Sequence, residues 1–240
     1  MREPKFMNIR YGSHDTTLLS IMQLSDSFLP TGTYTMSNGL EMLYYQHRVK
    51  DEKQLLTLIE SCLKMQVGVT DCVALGNTID AANTSSIRSI IDIDDTLYAI
   101  KLVKEIREAS LRSGIQFLNC VNAFTENNLL DRYRRAIVNG KAKGMYPVAL
   151  GIASSVYRIS KHDAALILLY SLSVSFVGAA LRLGFIDHIQ GQKVIHKLKP
   201  TLLETVKNVH RPLREMWQFF PTLDIAQMMH ERIENKMFVS

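Results

Sequence analysis

The stretch SDSFLPTGTYTMSNGLE, which runs from Ser25 to Glu41, combines residue types that are typical of an active-site loop. Pro30, Gly32 and Gly39 permit tight turns, hydroxyl side chains recur along it, and a carboxylate ends it. Nucleophilic catalysis would also need a neighbouring base, and the stretch contains no His, Cys or Lys. The composition therefore favours two other interpretations: a loop that binds a partner through hydroxyl and backbone hydrogen bonds, or a loop that packs on its own domain.

The segment GKAKG, residues 140–144, suggests a phosphate-binding loop because two glycines flank its lysines. A Walker A motif requires GxxxxGK followed by Ser or Thr. Arg135 stands where the first glycine should be, and Ala142 follows Lys141. The pattern fails at both positions and indicates a turn between helices.

Five basic residues occur between positions 132 and 143, in RYRRAIVNGKAK. Arg132 and Arg135 share one face of the predicted helix, and Lys141 and Lys143 follow in the turn. Three interpretations stay open for this run: a solvated face, a docking site for an acidic protein, and a nucleic-acid-binding module.

The sequence contains few motifs that would indicate a metal site or a catalytic nucleophile. The seven histidines form neither HxH nor HExxH, and HERIE places His230 and Glu234 one turn apart with no third ligand. The three cysteines are widely spaced without CxxC, which argues against a zinc site or a disulfide framework and favours a reducing compartment. GxSxG is also absent. By elimination, the sequence predicts a protein that is not an enzyme and carries no cofactor or metal.

Composition is that of a globular protein. Of 240 residues, 47% are hydrophobic and 21% are charged, which excludes a disordered chain. The net charge of +5 is mildly basic and suits an acidic protein partner as well as a nucleic acid. The N-terminal residues lack the apolar core of a signal peptide, so we expect a cytoplasmic protein.

Hydrophobic periodicity is helical almost throughout and predicts one all-α domain, a bundle of about ten helices. The elements that must position the loop residues are predicted at 16–24, 38–48, 51–68, 71–82, 95–124, 127–138, from Pro147, from Ser160, at 190–208 with Pro200 separating two pieces, and at 223–235. The segment 83–95 is predicted as a connector. Ser110 and Gly114 are small enough to let another helix approach the long 95–124 helix closely.

The segment 164–181 is 18 residues without a charge. Its length just reaches that of a membrane-spanning helix, so a membrane-associated protein is one alternative. A helix that is apolar on all sides can equally be the central helix of a soluble bundle. The missing second spanning candidate favours the bundle.

The opening stretch, with the apolar LLSIMQL before it, resembles the N-terminal signature of the UreF family of urease accessory proteins. That signature reads D-S-x-x-P-x-G-x-x-x-x-S-x-G-L-E and here falls on Asp26, Ser27, Pro30, Gly32, Ser37, Gly39, Leu40 and Glu41. Segments 140–153, 179–195 and 224–240 are similar to later parts of the family pattern, in the same order. Together the four segments span nearly the whole chain.

The resemblance implies an all-α, homodimeric, cytoplasmic maturation factor that is not itself an enzyme. It implies assembly with the UreD/UreH accessory protein and the GTPase UreG, in a complex that delivers nickel to apo-urease. Three departures from the family pattern stand out. Met145 replaces a frequent His, Gly184 stands where many members have a Pro-containing turn, and Lys236 replaces an Arg, which loses bidentate geometry if that Arg pairs with a carboxylate.

The resemblance also gives the candidate partner-binding residues, which are Pro30, Gly32, Ser37, Gly39, Glu41, Lys143, Tyr146, Pro147, Arg182, Gln192, His230, Glu231 and Phe238. We expect Ser37–Glu41 and Lys143–Pro147 to line a partner or dimer surface. Residues 211–240 are predicted to form a Met-rich tail that binds a partner or the dimer mate, and residues 1–15 to be flexible. Arg182, at the C-terminal end of the uncharged helix, is expected chiefly to stabilise the fold.

Overall fold

The structure is a computed structural model, and it describes residues 13–32, 36–233 and 235–239. Within these ranges the chain forms eleven α-helices and no β-strand, which confirms the predicted all-α bundle. The helices are α1 (His14–Ser25), α2 (Leu40–Tyr45), α3 (Glu52–Cys62), α4 (Asp71–Asn83), α5 (Ile87–Ile100), α6 (Lys104–Phe124), α7 (Asn128–Val138), α8 (Tyr146–Val156), α9 (Lys161–Leu183), α10 (His188–Thr205) and α11 (Pro221–His230).

Helix starts follow from local sequence. Helix α3 begins after Asp51, whose carboxylate accepts the N–H of Gln54 at 2.8 Å. Helix α9 begins after Ser160, whose hydroxyl accepts the N–H of Asp163 at 3.1 Å. Pro147 lies in the first turn of α8, where its missing N–H costs nothing. These three predicted starts are confirmed.

The predicted helix 95–124 is wrong, because residues 101–103 divide it into α5 and α6. Ser86 starts α5 early by accepting the N–H of Ser89, so most of the predicted connector is helical. At the break, Lys101 adopts extended backbone angles and turns into the core. Its ammonium lies 2.9 Å from the buried carboxylate of Asp71. A long-range ion pair therefore coincides with the interruption of a locally favourable helix.

The predicted division at Pro200 is also wrong, because α10 continues through it to Thr205. Proline removes one backbone N–H and crowds the preceding turn, which usually breaks a helix. Here Val194, Leu198 and Leu202 are buried on both sides of the proline, and α10 packs on α3 and α9. Tertiary packing thus holds the helix together where local preference would end it.

The uncharged segment forms α9, at 23 residues the longest helix within the described ranges. It is long and apolar enough to cross a membrane by length and composition alone. However, it packs against α1, α2, α4 and α10, and Leu169, Phe176 and Ala180 are fully buried. Helix α9 is therefore a core helix of the bundle, as a mostly buried helix of this kind usually is.

The end of α3 widens into one turn of π-helix, Leu63–Val67. The extended segment before α11 lies along this turn, because Trp217 N–H donates to the carbonyl of Val69 at 3.3 Å and Phe219 N–H donates to that of Met65 at 3.2 Å. A π-turn disturbs the regular α-helical pairing of backbone groups. The C-terminal segment therefore binds the bundle partly through main-chain hydrogen bonds.

Helix α6 approaches the loop before α8 very closely. A Cβ atom on Gly114 would lie 2.1 Å from the carbonyl oxygen of Gly144, so only glycine fits. Ser110 Oγ accepts the N–H of Tyr146 at 3.3 Å. The predicted role of these two small positions in close packing is confirmed.

One hydrophobic core includes residues from Leu24 in α1 to Phe238 near the C-terminus. The predicted flexible segment 1–15 lies mostly outside the described residues. Of that segment, residues 13–15 form the start of α1, where the Ser13 hydroxyl accepts the N–H of Thr16. The segment 211–240 packs on the bundle through α11 and Phe238.

Removing the Lys101 ammonium should strongly destabilise the fold, because Asp71 would be left as a buried carboxylate without its cation. We expect Lys101→Met to lower the free energy of unfolding by about 3–5 kcal/mol. The control is Lys64→Met, since Lys64 pairs with Glu204 at 3.0 Å on the exposed surface, and its loss should cost less than about 1 kcal/mol. Urea unfolding measures both, and equal effects would contradict the interpretation of the buried pair.

Candidate functional site

The stretch Ser25–Glu41, which we call the signature loop, has an outer half at residues 25–32 and an inner half at residues 36–41. Pro30 and Gly32 are exposed, and Phe28 beside them has 93% of its surface in contact with solvent. Ser37, Gly39 and Glu41 are buried. Residues 33–35, between the halves, lie outside the described residues. Among the described residues of the stretch, the fully exposed side chains lie in the outer half.

A sharp turn sends the inner half into the protein. Asn38 and Gly39 both have positive φ angles, 53° and 89°, which glycine adopts easily and asparagine tolerates. Helix α11 closes over the turn, because Gln227 Nε2 donates to the carbonyl of Asn38 at 3.1 Å. A Cβ on Gly39 would lie 2.8 Å from Gln227 Cγ. The turn thereby places Glu41 in the first turn of α2 with its side chain directed inwards.

The Glu41 carboxylate gathers donors from the C-terminal segment. His230 Nε2 lies 2.8 Å from Glu41 Oε2, and the N–H groups of Met237 and Phe238 donate to the carboxylate at 2.8 and 3.3 Å. Tyr45 Oη donates to Oε1 at 3.3 Å. Hydrogen bonds to a carboxylate are stronger than neutral ones, and here they are shielded from water.

The second ring nitrogen of His230 lies next to a second acid. His230 Nδ1 lies 2.9 Å from Glu105 Oε2, and Lys236 Nζ donates to Glu105 Oε1 at 3.2 Å. Both ring nitrogens of His230 therefore lie within hydrogen-bonding distance of a carboxylate oxygen. We call Glu41, Glu105, His230 and Lys236 the loop–tail junction.

Two further predicted residues adjoin the loop–tail junction. The guanidinium of Arg182 lies over the ring of buried Phe238 at 4.4 Å, and Arg182 Nε donates to the carbonyl of Gly178 at 3.1 Å. The side chain of Glu231 is exposed, and its backbone carbonyl accepts a bond from Lys236 Nζ at 3.2 Å. Three segments of the family pattern, the opening stretch, 179–195 and 224–240, contribute residues here, but Glu105 was missed. Nothing in KEIRE distinguishes buried Glu105 from its exposed neighbour Glu108.

The GKAKG loop encloses an internal carboxylate. Asp94 in α5 is fully buried and accepts the backbone N–H groups of Lys143, Gly144 and Met145 at 2.7, 2.8 and 3.0 Å. Burial raises the pKa of the Asp94 carboxyl above its ordinary value, and the N–H donors partly offset this. The N–H groups that could have held a phosphate are therefore occupied by the protein's own side chain.

The segment Lys143–Pro147, which was also predicted to line a surface, is only partly exposed. Lys143 is exposed, with its ammonium 3.7 Å from Asp95 Oδ1. Tyr146 is half-buried and meets the ring of Phe117 edge-on at 5.6 Å, and Pro147 is buried. Met145, where relatives often carry His, is fully buried. Predicted partner contacts at Tyr146 and Pro147 stay predictions, but these residues are largely internal to this chain.

Other candidates lie apart from the loop–tail junction. Gln192 is exposed on α10, and Arg132, Arg135 and Lys141 are exposed on α7 and the turn after it. Within the described part of the chain, no group of three or more His, Cys, Asp or Glu residues is arranged to hold a metal ion. Burial raises the pKa of the Cys62 thiol to about 12, which disfavours a nucleophilic thiolate.

Comparison with known proteins gives one consistent match. Residues 49–199 match the UreF family. "Urease accessory protein UreF" of Trichodesmium erythraeum (strain IMS101) is 33% identical over 224 residues, 92% of this chain and 96% of that protein. Proteins of the same name are 26% identical in Haemophilus influenzae (strain PittGG), over 94% of this chain and 96% of that protein, and 25% identical in Actinobacillus pleuropneumoniae serotype 5b (strain L20), over 92% and 98%.

Neutralising Glu41 should loosen the C-terminal segment. Glu41→Gln keeps the shape of the side chain but leaves His230 without one of its carboxylates. We expect a loss of about 3–5 kcal/mol in the free energy of unfolding, as for other broken buried pairs. We also expect faster proteolytic cleavage after residue 230.

The matched control is Glu231→Gln, which neutralises an exposed acid next to His230. It should change the free energy of unfolding by less than about 0.5 kcal/mol and leave cleavage unchanged. Urea unfolding and timed proteolysis with mass spectrometry measure both variants. A Glu41→Gln protein as stable as the parent would contradict the assigned role of the junction.

Proposed function

The chain belongs to the UreF family of urease accessory proteins, and from this premise we propose that it is a non-catalytic scaffold of urease maturation. In this proposal it assembles as a homodimer with UreD/UreH and the GTPase UreG in the cytoplasm. The complex then delivers nickel to apo-urease, with nickel as cargo. Family membership makes the chain a urease accessory protein; the named partners, the dimer and the compartment are the proposal.

The loop–tail junction is the observation that best supports a scaffold. Its acids and imidazole are the residue types of acid–base catalysis, yet Glu41 and His230 have no solvent-exposed surface. Each of these side chains is already hydrogen-bonded to another group of the protein, so none is left to accept a proton from a substrate. The junction instead fixes the geometry of two surface segments, which is what a scaffold requires.

Exposed apolar side chains within residues 211–240, which we call the tail surface, support a partner surface on the tail. Trp217, Phe219, Met228, Met229 and Met237 are all exposed. Aromatic and methionine side chains are enriched at protein interfaces and adapt to partner shape. We assign this tail surface to UreD/UreH. Phe220 and Phe238, two further apolar residues of this segment, are half-buried and buried and help to hold the tail on the bundle.

The outer half of the signature loop offers a second surface. Phe28, Pro30 and Gly32 are exposed, while the inner half is anchored beneath α11. In the proposal, partners contact the outer half, and Ser37, Gly39 and Glu41 act by holding it in place. The alternative of nucleic-acid binding through residues 132–143 is not supported, since every relative described above is named as a urease accessory protein.

Co-expression with UreG and UreD/UreH tests the assembly. We expect one complex that contains two copies of this chain in size-exclusion chromatography with light scattering. Leaving this chain out should lower the nickel content and the activity of the urease recovered from the same cells. If it stays monomeric and separate from folded partners in the presence of GTP, the proposed assembly is wrong.

Polar substitutions on the tail surface should weaken the binding of this chain to UreD/UreH. Phe219→Ser with Met237→Ser removes two exposed apolar side chains, 62% and 58% exposed, without touching the junction side chains. We expect at least roughly tenfold weaker binding to UreD/UreH, because exposed aromatic anchors often dominate an interface.

The control is Val138→Ser. Val138 is an apolar residue on α7, outside the tail, and it is 79% exposed. It should leave binding unchanged. Surface-immobilised UreD/UreH gives the affinities, and circular dichroism confirms that all variants are folded. Unchanged affinity in the double variant would place the UreD/UreH surface elsewhere.

A further inference from the structure

Helix α10 and the turns that follow it concentrate the positive charge of the chain. Residues 188–214 contain six Lys or Arg residues and one acid, Glu204, so their net charge is +5. The whole chain also has a net charge of +5. The rest of the chain is therefore neutral overall. Such a concentration of one sign of charge is typical of a surface that meets an anionic partner.

The acids that α10 contributes or meets are already paired. Glu52 of α3 lies 2.7 Å from the ammonium of Lys197, and Glu204 lies 3.0 Å from that of Lys64. The other basic side chains of the stretch are exposed and form no ion pair with any residue that the structure describes. They are Lys193, Lys199, Lys207, Arg211 and Arg214.

Exposed side chains of α10 form a stripe along the helix, because they recur at intervals of three or four residues and so share one face. The stripe spans about 22 Å of helix, and no acid occurs between residues 188 and 203. Ile189 and Lys193 lie along its edge and are also exposed. The stripe consists of His188, Gln192, His196, Lys199 and Leu203. We call it, together with Ile189 and Lys193, the basic face.

The basic face differs from an ordinary solvated helix surface in two ways. Solvated faces usually alternate acids and bases, because pairs of opposite charge four residues apart stabilise a helix and like pairs destabilise it. Here Lys193 and Lys197 form a like pair at that spacing. Large apolar side chains also lie among the cations, since Ile189 is 69% exposed and Leu203 is 53% exposed. Both features would be relieved by a partner that carries carboxylates and apolar side chains.

This combination favours a protein over a nucleic acid or a membrane. Single-stranded nucleic acids stack their bases on aromatic side chains, and residues 188–214 contain no Phe, Tyr or Trp. Phosphates of a duplex would pair with the cations but leave Ile189 and Leu203 uncovered. A helix that lies on a membrane buries a broad apolar face, whereas the apolar side of α10 packs on α3 and α9.

We infer that the basic face is the docking surface for an acidic segment of a partner protein. The carboxylates of that segment pair with Lys193 and Lys199, and its apolar side chains pack on Ile189 and Leu203. The unpaired cations after α10 extend the positive field, which speeds the encounter with an acidic partner. The inference does not depend on the proposed assembly, because it follows from α10 alone and the basic face shares no residue with the tail surface.

The test uses the full chain and a fluorescently labelled helical peptide of Glu and Ala, about 18 residues long, with two Leu at the spacing of Ile189 and Leu203. Fluorescence anisotropy at low ionic strength gives the Kd. We expect this peptide to bind at least roughly tenfold more tightly than the same peptide with Gln in place of Glu. Added salt should remove most of the difference, because it screens exposed charges.

Charge reversal locates the site. Lys193→Glu with Lys199→Glu should weaken binding of the Glu peptide at least roughly tenfold. The matched control is Arg132→Glu with Arg135→Glu, which reverses two exposed cations on α7 and changes the net charge of the chain equally. It should change the affinity by less than about twofold, since distant exposed charges are screened. Circular dichroism confirms folding, and Lys193→Gln with Lys199→Gln replaces a reversal variant that fails to fold.

A second pair of substitutions tests the apolar part of the basic face. Ile189→Ser with Leu203→Ser should weaken binding of the Glu peptide at least roughly threefold, because two apolar contacts are lost. The same variant should bind a DNA duplex as the parent does, since phosphates make no use of these side chains. An unchanged affinity for the Glu peptide would contradict docking of a segment that is both acidic and apolar.

Three further results would overturn the inference. The first is equal affinity for the Glu and Gln peptides. The second is an equal loss of binding in the α7 control, which would show that the overall charge of the chain attracts the peptide. The third is tighter binding of a DNA duplex, or of vesicles of phosphatidylserine and phosphatidylcholine, that the Lys193 and Lys199 reversal abolishes. That result would make the basic face a surface for nucleic acid or lipid.

Discussion

His230 joins three segments that lie far apart in sequence, because its two ring nitrogens face Glu41 and Glu105 inside the protein. Glu41 belongs to the turn that ends the signature loop, and Glu105 to the first turn of α6. The same carboxylates accept bonds from Lys236 and from the backbone of Met237 and Phe238. A buried acid is tolerated only when it is paired and hydrogen-bonded, so loop, helix and tail must assemble together.

Asp94 fixes a second irregular segment, the loop before α8, in the same way. Its carboxylate accepts three consecutive backbone N–H groups of the loop before α8, while Gly114 lets α6 approach that loop within van der Waals contact. In both places an irregular segment is fixed by an internal carboxylate rather than by regular secondary structure. Loops fixed in this way can present the same surface to several partners in turn, which suits a scaffold.

Local sequence was enough to predict much of the fold, and long-range pairing explains most of the rest. The caps at Asp51 and Ser160 follow from neighbours in the chain, and the small residues Ser110 and Gly114 indicate a close approach without identifying its partner, the loop at Gly144. The helix break at Lys101 coincides with an ion pair to Asp71, 30 residues away, and the continuity through Pro200 coincides with packing against other helices. Glu105 could not be found from sequence alone, because an acid that pairs inside the protein looks like one that faces water.

The junction also changes how the family pattern relates to partner binding. Ser37, Gly39, Glu41 and His230 match the pattern, yet all are buried. Gly39→Arg would force a long side chain against α11, and removal of the last nine residues would strip Glu41 of its backbone donors. Either change can abolish partner binding by disturbing the fold. Contact residues are therefore better sought among exposed neighbours such as Phe28 and Phe219, where a polar substitution leaves the junction intact.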